Sequence, residues 1–79
     1  MTPREMREIV IRSAPIELVK LLKLAGLAGT GGEAKIMVAE GLVRINGRVE
    51  TAKRKKIGAG DIVACGDDRV VVRVVTGSG

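Results

Sequence analysis

The most chemically distinctive run in the chain is Lys53-Arg54-Lys55-Lys56. Four adjacent cations repel one another unless an anion neutralises them, so the run points to phosphate contact rather than to a reaction. Lys23, Lys35, Arg44 and Arg48 precede it, and the segment from Lys20 to Lys56 holds nine basic residues against three acids. That local charge of +6 exceeds the formal net charge of the whole chain, +5, so the remainder is nearly balanced. A localised excess suits a polyanion partner, and nucleic acid is the leading one.

The other residue types offer little chemistry. His, Tyr, Trp and Phe are absent, and no Ser stands beside a plausible base. Asp61, Asp67 and Asp68 read as turn residues, too few for a divalent cation without further ligands. Gly58-Ala59-Gly60 is too short to cradle a phosphate, and no Walker-type Lys-Ser or Lys-Thr pair follows it. Cys65 is single, which rules out an intramolecular disulfide, and its apolar run DIVAC predicts a buried, inert thiol. We therefore expect no enzyme, no metal and no cofactor. The N-terminus lacks an apolar signal core, and the most apolar helix is interrupted by Glu17, Lys20 and Lys23. A cytoplasmic protein without a membrane partner is expected.

The elements that must position these cations follow from local signals. Thr30-Gly31-Gly32-Glu33 fits a capping box, with the Thr30 hydroxyl accepting from the Glu33 amide and the Glu33 carboxylate accepting from the Thr30 amide. A helix then starts at Gly31, with Ala34, Met37 and Val38 on one face and Lys35 projecting away. Gly41 is placed to stop it. Leu42-Val43-Arg44-Ile45 reads as a strand entering the hairpin turn Asn46-Gly47. Two registers are open there. A two-residue loop pairs Ile45 with Arg48; a three-residue loop with a bulge pairs Ile45 with Val49 and Arg44 with Glu50. Burial of both Ile45 and Val49 favours the second, which puts Arg44 on the polar face and Arg48 at the tip.

Upstream, Met1–Met6 reads as a frayed arm and Glu8–Arg12 as a strand. Ser13 is positioned to cap a first helix, with Pro15 in its first turn. Leu18, Leu21, Leu22 and Ala25 form the core-facing stripe, Gly26 ends the helix and Leu27 folds back onto it. Downstream, Ile62–Cys65 and Val70–Val75 are strands around a Gly66-Asp67-Asp68 turn, and Thr76–Gly79 is a flexible end. With 79 residues there is room for one domain spanning 1–79, its core about 8–75. The order of elements makes it an α+β protein.

The run EAKIMVAEGLVRING resembles the heart of the S4 RNA-binding domain: a small helix with a basic residue, a glycine, then V-x-V/I-N-G. The resemblance extends from Ile16 to Val63 through the helix pair, the NG hairpin, the basic run and the GAGD loop. It is similar to the small stand-alone S4-like proteins of bacteria. It implies an S4-like (αL) fold, two short helices packed on a small, mainly antiparallel sheet, with the helix pair and hairpin as the RNA-docking surface. The residues expected to face RNA are Lys23, Thr30, Gly31, Gly32, Lys35, Arg44, Asn46, Gly47, Arg48 and Lys53 to Lys56, the latter including Arg54 and Lys55. Bare amides at Gly31 and Gly32 could receive a phosphate, although Glu33 supplies a competing charge.

Absence of aromatic residues argues against base-stacking platforms. The partner expected is structured RNA read by shape and phosphate spacing, with ribosomal or transfer RNA and the ribosome as candidates, bound by a monomer. Two other readings stay open. One is a protein-docking module using Ile36 and Ala39. The other is a helix-turn-helix DNA binder, disfavoured because Lys35 is the only long polar reader on the second helix.

Overall fold

The computed structural model describes residues 7–75. In chain order it runs β1 (Arg7–Ile11), β2 (Ile16–Glu17), α1 (Leu18–Leu24), α2 (Gly31–Ala39), β3 (Val43–Ile45), β4 (Arg48–Val49), β5 (Lys56–Ile57), β6 (Ile62–Cys65) and β7 (Asp68–Val74). Five strands form one sheet in the order β1-β7-β6-β3-β4, and β2 pairs with β5 in a second, two-stranded ribbon. All pairs are antiparallel except β1 with β7, which run parallel. This is the expected α+β arrangement, two short helices on a mainly antiparallel sheet. The expectations for Met1–Met6 and Thr76–Gly79 fall outside the described residues.

Alternation along the strands gives the sheet two unlike faces. Val43 and Ile45 of β3, Val63 of β6, and Val70 and Val72 of β7 are buried on the side that meets the helices. Leu18, Leu21 and Leu22 of α1, Ala34 and Val38 of α2, and Ile57 of β5 close the core from above. Most are fully buried aliphatic side chains, each contributing about 1.5–3 kcal/mol relative to exposure. No charged or polar residue is buried among the described residues. The intervening positions, Arg44, Ala64, Arg69, Val71 and Arg73, face away from the helices.

Both helices end in the same way. Gly26 has φ 76° and Gly41 φ 74°, the left-handed region that favours glycine. After α1, Gly26 N–H donates to Lys23 O and Leu27 N–H to Leu22 O; after α2, Gly41 N–H donates to Val38 O and Leu42 N–H to Met37 O. These paired bonds are Schellman caps, which satisfy the last carbonyls within each helix.

The beginning of α1 departs from expectation. Ser13 and Pro15 do not open the helix; they precede the two-residue strand β2, and α1 begins only at Leu18 with Glu17 as a non-bonding N-cap. The reason is tertiary. Ile16 pairs with Ile57 and Glu17 with Lys56, and Leu18 N–H donates to Lys55 O at 2.8 Å. Extended pairing with a distant segment outcompetes one more helical turn, and β-branched Ile16 suits it.

Candidate nucleic-acid interface

The capping signal at Thr30 acts as expected in one half. Glu33 N–H donates to Thr30 Oγ1 at 3.1 Å. The return bond, however, comes from Gly29 N–H to Glu33 Oε1 at 3.1 Å rather than from Thr30. Glu33 thus already supplies a negative charge at the positive end of α2. The stem of Lys23 crosses this helix start, its Cδ 3.8 Å from where a Cβ on Gly31 would stand. Lys35 projects from the exposed face of α2, while Met37 is half-buried beside Ala34 and Val38.

The basic run is held against α1 by backbone rather than by its own charges. The β2–β5 ribbon and the Leu18–Lys55 bond fix its C-terminal half, Ala52 N–H donates to Glu50 Oε2, and Lys55 N–H donates to Ala52 O. Ile57 is fully buried, anchoring the loop in the core. A shallow concavity between α1, α2 and this loop is lined by Lys20, Lys35, Lys53 and Arg54 with Glu17 and Val19. An adjoining depression is lined by Arg48, Lys55 and Lys56 together with Ile45, Asn46, Glu50 and Asp61. Cations far apart in sequence therefore converge on one side of the molecule.

Two contributors escaped the sequence reading. Lys20, absent from the residues expected to face RNA, lines the main concavity. Glu17 forms ion pairs with Arg54 at 3.5 Å and Lys56 at 3.6 Å. Lys56 above all, with Arg54, holds the Glu17 carboxyl below its ordinary value of 4.5. No local spacing signalled the Glu17 contacts: Glu17 lies in the extended residues before α1, and its pairing across the β2–β5 ribbon brings it to the basic run.

The hairpin corrects the preferred register. Ile45 pairs with Arg48 and Arg44 with Val49, so the loop has two residues. Asn46 at φ 53° and Gly47 at φ 86° occupy the positive-φ positions of a type I′ turn, whose twist matches that of the strands. Burial misled because β4 is an edge: Val49 remains 60% exposed. Arg48 consequently lies in a strand on the helix side instead of at the tip. Arg44 lies on the other side of the sheet, away from the basic concavity, where it donates to Gly66 O at 3.5 Å.

Asn46 uses its side chain internally. Its Nδ2 donates to Asp61 Oδ1 at 3.1 Å, and its Oδ1 accepts from Ile62 N–H at 2.9 Å. Asp61 Oδ2 accepts in turn from Gly58 N–H at 2.8 Å, so the NG turn and the GAGD loop are locked together. Cys65 is half-buried rather than buried; burial first, then Asp68, pushes its thiol above 9.0. Among the described residues no cluster of metal-ligating side chains forms, and no helix is long and apolar enough to cross a membrane.

Comparison with known proteins meets this geometry. The S4 domain model matches residues 9–73. YbcJ of Escherichia coli (strain K12) is 53% identical over 49 residues, covering 62% of this chain and 70% of YbcJ. The solution structure of YbcJ, described as revealing a motif involved in RNA-binding, superposes with a TM-score of 0.69 and 40% identity over 92% of this chain and 94% of that one. The tyrosine–tRNA ligase of Bordetella pertussis is 35% identical over 91% of this chain, which corresponds to only 18% of that enzyme. With the family model covering most of the chain and the helix pair, NG hairpin and mixed sheet in place, the protein belongs to the S4 RNA-binding domain family.

Proposed function

We propose that this domain binds structured RNA through backbone phosphates, on the side formed by α1, α2 and the loop from Glu50 to Lys56. The observation that carries this reading is the concavity where Lys20, Lys35, Lys53 and Arg54 meet from three segments. Lysines on mobile stems suit phosphates presented at varied angles, and the chain has no aromatic residue with which to stack bases. Lys23, Arg48, Lys55 and Lys56 extend the surface, while Thr30, Asn46 and Gly47 shape it. Gly31 and Gly32 lie at its margin, their amides facing competition from Glu33.

Ribosomal or transfer RNA is the proposed partner. The occurrence of a similar segment within tyrosine–tRNA ligases supports the transfer RNA branch. Those enzymes are about five times longer than the matched segment, so their catalysis is not carried over. Fluorescence anisotropy on a labelled RNA stem-loop, its DNA counterpart and a single-stranded homopolymer, at several salt concentrations, tests the reading. Preference for the stem-loop supports it; equal binding to the homopolymer sinks it. A second reading, docking to another protein, rests on Ile36, 61% exposed, and Leu24, 59% exposed, on the helices. RNA-independent association that survives nuclease would favour it.

A further inference from the structure

Of the acids on the helix side, Glu33 and Glu50 are each bound to a backbone amide. Glu17 differs. It stands at the N-cap of α1 without capping it and turns toward the basic run. Its pairing with Lys56 does not depend on a chosen rotamer alone, because the two are directly opposed across the β2–β5 ribbon and so share a face. Arg54 reaches the same oxygen from the loop, and Lys20, Lys35 and Lys53 line the concavity around it.

Two roles are open to such a carboxylate. It could hold the basic loop in place, in which case its removal would weaken RNA binding. Alternatively, it could compete with phosphate for the cations it touches. The structure distinguishes them. The loop is fixed by the β2–β5 ribbon, by the Leu18–Lys55 and Ala52–Glu50 bonds and by buried Ile57, none of which involves the Glu17 side chain. The ion pairs are long, and the Arg54 and Lys56 side chains are 90% and 61% exposed, a setting in which such pairs hold little structure. We infer that Glu17 is an internal competitor for RNA phosphate, which lowers affinity by occupying Arg54 and Lys56. This rests on the phosphate-binding reading of the same surface and adds its regulation: a phosphate seated there must displace a resident carboxylate.

The test measures wild type, Glu17→Gln, the double variant Arg54→Gln/Lys56→Gln, and all three changes together. Each is titrated onto a labelled RNA stem-loop and, separately, onto inorganic polyphosphate. Glu17→Gln is expected to tighten binding about threefold to tenfold at low salt, on the scale of one or two phosphate contacts. The gain should disappear where Arg54 and Lys56 are already neutralised. Unchanged or weaker binding by Glu17→Gln, or a gain that persists without those cations, overturns the inference. If the gain appears on polyphosphate while no variant binds the stem-loop, the RNA reading falls and the competition stands. If wild type binds the stem-loop and Glu17→Gln gains nothing on either probe, the competition falls and the RNA reading stands.

Discussion

The helix side and the open face of the sheet are both basic, yet they are built differently. On the helix side Lys20, Lys35, Lys53 and Arg54 come from three segments and meet around a concavity. On the open face Arg44, Arg69 and Arg73 are set apart by strand geometry. Arg44 and Arg69 lie on either side of Ala64, two strand spacings or about 10 Å apart, with exposed Val10 and Val49 on the same face. Arg73 is paired with Glu8 at 3.1 Å, and Arg44 leans onto the Gly66 carbonyl. The comparison teaches that convergence, more than charge count, marks a phosphate surface. Helix stems and a loop can aim several cations at one point, whereas a pleated sheet holds them parallel and apart.

The most forceful way to break this comparison is to neutralise each side in turn. Replacing Lys53, Arg54, Lys55 and Lys56 together by Gln should weaken stem-loop binding about 100-fold and flatten the salt slope by roughly 2–4 units. Replacing Arg44, Arg69 and Arg73 should change it less than about threefold. Anisotropy across a salt series reads both, and equal losses would erase the distinction between the faces.

Asn46→Ala comes next. It removes the side-chain bonds to Asp61 Oδ1 and the Ile62 amide, leaving the Asp61 carboxylate only its bond from Gly58 N–H, and should cost about 1–3 kcal/mol in urea unfolding. Arg48 should lose its placement more than Arg44 does, since β3 stays paired with β6. Amide shifts at Arg48 and Lys56 larger than those at Arg69 would sharpen the comparison. Thr30→Ala should cost about 1 kcal/mol by loss of the cap to Glu33. Its spectral changes should be confined to α2 and Lys35, leaving the open face unmoved.

The smallest effect is a titration. The folded value of Glu17 is depressed, so its ion-pair contribution is present above the ordinary glutamate value of 4.5 and is lost as pH falls through the lower folded value. Carboxyl carbon shifts should therefore give Glu17 a midpoint below 4.5, while Arg54→Gln/Lys56→Gln should raise it. A midpoint at or above the ordinary value in wild type would show that the ion pairs do not form.

How much could be read in advance depended on the range of the interaction. Thr30 with Glu33, Gly26, Gly41 and Asn46-Gly47 act within four or five residues, and their residue types announce the conformations they take. Both helix faces, Leu18-Leu21-Leu22 and Ala34-Val38, were equally legible from spacing. The hairpin register failed because burial was assigned to Val49 from its side-chain type, whereas the turn geometry settled the pairing and left Val49 on an open edge. Ser13 failed as a cap for the same kind of reason, a local rule overridden by pairing with a remote strand.

The chain by itself thus determined its capped helices, its NG turn, its aliphatic core and the concentration of charge between Lys20 and Lys56, because each is written in neighbouring residues or in composition. Only the tertiary structure decided which cations meet. Ile16-Glu17 pairs with Lys56-Ile57 across the intervening helices and hairpin, and β1 pairs parallel with β7 from the other end of the chain. Two-residue pairings carry no periodicity, and a long closed loop leaves no mark in local sequence. The β2–β5 pairing brings the basic run beside Lys20 and Lys35 and sets Glu17 among the cations, while the pairing of β3 with β6 leaves Arg44 on the opposite face.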